Sequence, residues 1–76
     1  MSKTLLEQLR VDAGLTTLEL GAIAGVSHGT ISRVERGRPA TAATLKKLAD
    51  ALNKVHDRDD VRPSQLQFIW PRRQTA

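Results

Sequence analysis

Residues 13–52 read AGLTTLELGAIAGVSHGTISRVERGRPATAATLKKLADAL, and the punctuation of this stretch decides the fold. Each apolar-periodic segment in it follows a hydroxyl residue and precedes Gly or Asn, the chemistry of helix starts and stops. Thr16 and Glu19 have capping-box spacing, Leu20, Ile23 and Ala24 recur at i, i+3 and i+4, and Gly25 follows. That predicts a short helix with those three apolar residues buried. Gly25, Val26 and Ser27 then lead into a segment from His28 to Arg36, which Ser27 caps and Gly37 closes. Two helices joined by so tight a turn must cross steeply, with Val26 filling the corner. After Pro39, Thr41 caps a further helix that carries Leu45, Leu48, Ala49 and Leu52 on one face, with Asn53 as its stop.

Outward from this stretch the pattern holds on one side and changes on the other. Upstream, Thr4 and Glu7 repeat the capping-box spacing, Leu6, Leu9 and Ala13 share a face, and Gly14 ends a helix from about Leu5 to Ala13. Downstream, Val55 to Arg62 contains HDRDD, too charged to bury, and reads as a linker; Pro63 and Ser64 can start one helical turn. Leu66, Phe68 and Trp70 alternate like a strand, while Leu66, Ile69 and Trp70 would share a helix face, and the extended reading is preferred. Pro71 to Ala76 reads as a frayed basic end. The expectation is an all-α fold of four to five short helices with a short C-terminal tail, extended in conformation.

Composition narrows the class. The chain of 76 residues is short of what a multi-domain enzyme requires, and 39% apolar residues suffice for a modest core. Phe68 and Trp70 are the only aromatics, so the core upstream must be aliphatic. The absence of cysteine excludes disulfides, Cys-based zinc sites and thiol nucleophiles. No apolar run approaches the roughly 20 residues that cross a bilayer, and MSKTLLEQLR carries no long apolar segment or cleavage site, so no membrane association and a cytoplasmic location are expected. Twelve Lys and Arg against eight Asp and Glu give a net charge of +4, which points to an anionic partner.

That charge has a place. At about 100° per residue, counting from His28, Ile31 and Val34 fall near 300° and 240° and define the buried side of their helix. Gly29, Ser32, Arg33 and Arg36 cluster between about 40° and 140°, on the opposite side, with His28 at the flank. A short polar and basic helix face held at a steep angle fits the major groove of double-stranded DNA, where Arg can donate two hydrogen bonds to guanine. The bland alternative, a solvated charged face, loses to three Arg against one Glu in residues 33–38 on a helix capped at both ends. For Ser32 and Thr30, surface or capping roles weigh nearly as much as contact with DNA. His56 with Asp57, Asp59 and Asp60 reads as solvated charge rather than a metal or acid-base site. No catalytic triad or Gly-rich phosphate loop is present, so no enzyme, metal or cofactor is expected.

These residues resemble the Cro and cI phage-repressor type of helix-turn-helix proteins. The resemblance rests on the Gly-Leu-Thr run at 14–16, the Leu- and Ala-rich helix, the Gly-Val-Ser turn, Thr-Ile-Ser and Glu-x-Gly, and with the first helix it covers most of residues 4–53. It implies a lambda-repressor-like fold and a DNA-binding domain over 1–54, followed by a linker and apolar tail over 55–76. It further implies that His28, Gly29, Ser32 and Arg33 read bases. Thr17, Ser27, Thr30, Arg36, Gly37, Arg38 and Lys46, or its neighbour Lys47, would hold the DNA backbone, and Arg10 and Glu35 would form a structural ion pair. Three positions depart from the family pattern. Gly21 replaces Ala, which should weaken its helix by about 0.5–1 kcal/mol; Gly29 replaces a long polar side chain; Thr17 replaces Gln.

A single module of this kind contacts one short half-site, so the tail residues Leu66, Phe68, Ile69 and Trp70 are expected to form a homodimer interface rather than fold back over the helices. The leading expectation is a sequence-specific repressor of a palindromic operator. Two others compete with it: an antitoxin whose tail neutralises a toxin partner, and a helix-turn-helix scaffold that no longer binds DNA.

Overall fold

The structure, a computed structural model, describes residues 3–70. Four helices follow one another: α1, Leu5–Asp12; α2, Thr17–Ala24; α3, His28–Glu35; and α4, Ala42–His56. A single 3-10 turn, Pro63–Gln65, follows α4. Two short strands, β1 at Lys3–Thr4 and β2 at Ile69–Trp70, join the ends of the described chain in an antiparallel ladder, Lys3 opposite Trp70 and Thr4 opposite Ile69.

Local chemistry explains every helix start. Thr4, Thr16, Ser27 and Thr41 each take extended backbone angles and accept a hydrogen bond from the amide three residues on, at Glu7, Glu19, Thr30 and Thr44. Each bond satisfies an amide that the helix itself leaves unpartnered. Thr16 adds the reciprocal bond, its amide donating to Glu19 Oε1 at 2.9 Å.

The helix end predicted at Asn53 lies elsewhere. α4 runs on to His56 and ends at Asp57, which takes the left-handed conformation at φ 54°. Asn53 is instead used in a tertiary contact. Its side chain accepts from the Val61 amide at 2.9 Å and donates to the Val61 carbonyl at 3.1 Å, pairing with both backbone polar groups of that residue. His56 Nε2 donates to the Leu9 carbonyl at 2.8 Å, which ties the end of α4 to α1. The stretch expected as a linker is thus held at His56 and at Val61, while its charged run, Asp57 to Asp60, is exposed, as are Val55 and Arg62.

The core is aliphatic and includes the tail. Leu6, Leu20, Ile31, Val34, Leu48 and Leu52 are fully buried, and so is Leu66; Val61 also joins them. The expectation that Leu66 belongs to an interface is therefore corrected. Leu66 plugs the helices of its own chain because the adjoining backbone is fastened to the start of α1, where the Leu6 amide donates to the Leu66 carbonyl at 2.9 Å and the Leu5 amide to the Phe68 carbonyl at 2.7 Å. Phe68 and Ile69 remain outside, each 53% exposed, and the side chain of Trp70 and residues 71–76 lie outside the described residues.

Leu66→Ala is expected to cost about 2–5 kcal/mol in urea unfolding, as removal of a buried leucine does. Phe68→Ala should cost less than half as much; equal losses would show that the tail does not enter the core.

Candidate nucleic-acid interface

The turn between α2 and α3 closes over the place of one missing side chain. Gly25 takes φ 74°, and the amides of Gly25 and Val26 both return to the Gly21 carbonyl, at 2.8 and 3.0 Å. This folds the turn directly onto Gly21, where a Cβ would collide with the Val26 carbonyl oxygen. Gly21 is thus part of the turn's packing, and the propensity argument against it misses that contact. The same geometry corrects the predicted buried face of α2: Leu20 and Gly21 are buried, Ala24 half-buried, and Ile23 is turned out to 45% exposure. Ile23 lies at the rim of a shallow groove with Lys47 and Lys54 of α4.

α3 buries Ile31 and Val34, and its other side is open. His28, Arg33, Arg36, Gly37 and Arg38 are exposed, and Gly29, Thr30 and Ser32 are half-buried. Ser27 and Thr30 are engaged with each other: the Ser27 hydroxyl accepts from the Thr30 amide at 3.2 Å and lies 2.8 Å from the Thr30 hydroxyl. Thr30 Oγ1 in turn accepts from Arg33 Nη2 at 3.3 Å. That bond draws the guanidinium back over Gly29, where an added Cβ would lie 3.9 Å from Arg33 Nη1 and meet no other neighbour. The fold does not need a glycine at 29.

Past α3, Gly37 at φ 83° closes a helix end in which the Arg38 amide returns to the Arg33 carbonyl at 3.0 Å and the Gly37 amide to the Val34 carbonyl at 2.9 Å. Arg36 and Arg38 are exposed along this loop, as Arg33 is on the helix before it. Thr17 sits half-buried at the first position of α2. Lys46 stands apart on α4 and donates to Asp50 at 3.2 Å.

Beneath this surface Arg10 of α1 pairs with Glu35 at the end of α3, Nε to Oε2 at 2.6 Å and Nη2 to Oε1 at 3.2 Å. Its remaining terminal nitrogen, Nη1, donates to the Leu15 carbonyl at 2.8 Å. The side chains are only 14% and 9% exposed. Hydrogen bonding to Glu35 outweighs partial burial and holds the guanidinium pKa above its ordinary value.

Sequence reading missed one residue of this region. The Gln67 side-chain amide donates to the Val34 carbonyl at 3.2 Å and to the Arg38 carbonyl at 2.6 Å. No spacing rule links position 67 to positions 34 and 38.

Alanine at the two glycines should act with opposite sign in chemical unfolding. Gly29→Ala is expected to stabilise by about 0.5–1 kcal/mol. Gly21→Ala is expected to destabilise, because overpacking costs about 1–3 kcal/mol and exceeds the propensity gain. A stabilising Gly21→Ala would contradict the packing described for the turn.

Among the described residues no helix is long and apolar enough to cross a membrane. Comparison with curated proteins and with solved structures returns no match. A family model described as helix-turn-helix matches residues 6–58, which takes in α1 from its second residue, α2, α3 with its basic face, and α4. Matched over more than half of its length and carrying that basic helix after the tight turn from α2, the chain belongs to the Cro/cI-type helix-turn-helix family of DNA-binding transcription regulators.

Proposed function

We propose that the chain is a cytoplasmic, sequence-specific repressor that occupies a palindromic operator as a homodimer and carries out no chemistry. The observation that carries this reading is the division of α3, with Ile31 and Val34 buried on one side and Arg33, followed by Arg36 and Arg38, exposed on the other. Arg33 is the principal base reader, with His28, Ser32 and the backbone at Gly29 beside it. Thr17, Ser27, Thr30, Arg36, Gly37 and Arg38 contact the sugar-phosphate strand, and Lys46 adds longer-range attraction. Contacts of the second kind fix register and carry no sequence information directly.

The dimer interface is Phe68, Ile69 and Trp70, without Leu66. Phe68 and Ile69 line a groove of about 550 Å³ with Leu5 and Leu9, rimmed by Asp12, Arg58 and Asp60. A twofold built there would place two copies of α3 about 34 Å apart on one face of DNA. The same groove supports a second reading, an antitoxin that seats a toxin segment, and capture of a partner by wild type but not by Phe68→Asp would favour it.

Selection of duplexes from a random pool should return a palindromic consensus. Arg33→Ala is expected to cost about 1–3 kcal/mol and relax preference at one base pair, while Arg38→Ala weakens all duplexes alike and lowers the salt slope by about 1. Equal losses on random DNA for both would overturn specific readout. In sedimentation at micromolar concentration, wild type should be dimeric and Phe68→Asp monomeric; two monomers would remove the tail interface.

A further inference from the structure

Among the described residues, Gln67 is the side chain that spans the loop after α3. Val34, inside the helix, and Arg38, beyond its end, each offer a carbonyl to the same amide nitrogen. An amide nitrogen carries two hydrogens, and both are used here, one on each carbonyl. The Gly37 and Arg38 amides already close this loop on Val34 and Arg33, and Gln67 adds a clamp across its two ends from outside it.

That group is itself anchored. The residues on either side of it, Leu66 and Phe68, receive the Leu6 and Leu5 amides, the Phe68 amide returns to the Gln65 carbonyl at 3.0 Å, and Leu66 is fully buried. Gln67 thus sets the loop against the first turn of α1 rather than against α3 alone. The bond to Arg38 also commits that carbonyl to the tail. A carbonyl oxygen carries partial negative charge and would oppose a phosphate approaching Arg36 and Arg38 if it were free to swing towards it.

We propose that Gln67 is the positioning residue of the phosphate-contacting loop, holding Arg36 and Arg38 in place so that the C-terminal tail, itself outside the matched helices, tunes affinity for the DNA backbone. This rests on the DNA-binding reading above. Gln67 touches no DNA in this scheme and carries no sequence preference.

The test compares wild type, Gln67→Ala and Gln67→Glu by two readouts, at a temperature where all three are folded. The first is hydrogen exchange of the Gly37 and Arg38 amides, which does not involve DNA. The second is affinity for the selected operator and for a random duplex across a salt series. Gln67→Ala is expected to speed exchange at both amides and to weaken both duplexes by about three- to ten-fold, the range a lost hydrogen bond gives, with a shallower salt slope. Gln67→Glu, which places a carboxylate against two carbonyls, should do at least as much. In an Arg38→Ala background the Gln67→Ala loss should shrink towards nothing.

Faster unfolding with unchanged affinity and salt slope would make Gln67 a purely structural residue and overturn the proposal, as would full additivity with Arg38→Ala. Unchanged exchange at Gly37 and Arg38 would overturn it whether or not wild type binds DNA. Absence of salt-dependent binding by wild type would defeat the functional reading separately.

Discussion

Arg10 meets Glu35 through two parallel hydrogen bonds and places its third donor on the Leu15 carbonyl, so a single guanidinium joins α1, the turn after it and the last residue of α3. The rest of the structure depends on this junction because an aliphatic core is a poor guide to orientation. Leu, Ile and Val side chains pack acceptably in several rotations, whereas a fork of donors meeting a carboxylate accepts one. Glu35 also lies at the carbonyl end of α3, where the helix field disfavours a negative charge. Arg10 compensates for that placement, and the pair works as a register pin more than as a source of net stability.

Around the pin the protein economises on side chains where backbones meet. Gly21 lets the turn settle on α2, and Gly25 and Gly37 supply left-handed ends on either side of α3. The basic surface of α3 and the loop after it is consequently held by its backbone, and its long side chains are exposed. Arg33 is the partial exception. Its bond to Thr30, in turn held by Ser27, restrains the guanidinium before any partner arrives and reduces the entropy lost on contact.

Helix starts were legible in the sequence because a cap is a conversation between residues three apart, as at Thr16 and Glu19. The buried side of α3 was legible for a similar reason, since Ile31 and Val34 follow the helix period. Ile23 obeyed the same period and is exposed, because the turn after α2 folds back onto Gly21, which takes the inner place. Asn53, Leu66 and Gln67 were misread or missed for one cause: each acts on a group far away in sequence or across a loop. Asn53 looked like a stop because Asn often is one; only the position of Val61 shows where its amide goes. Leu66 looked spare because the helices already contained enough Leu and Ile for a core.

The ladder between β1 and β2 has a consequence for the order of events during synthesis. The residues that close the structure, 3–6 and 66–70, are those farthest apart among the described ones. The four helices end at His56, ten residues before Leu66, so the seat that Leu66 fills stays open until the chain beyond α4 has been made. The helices therefore cannot reach their final packing as a local event, and closure of the core waits on the pairing most distant in sequence, whose loop entropy must be met before its contacts reward it.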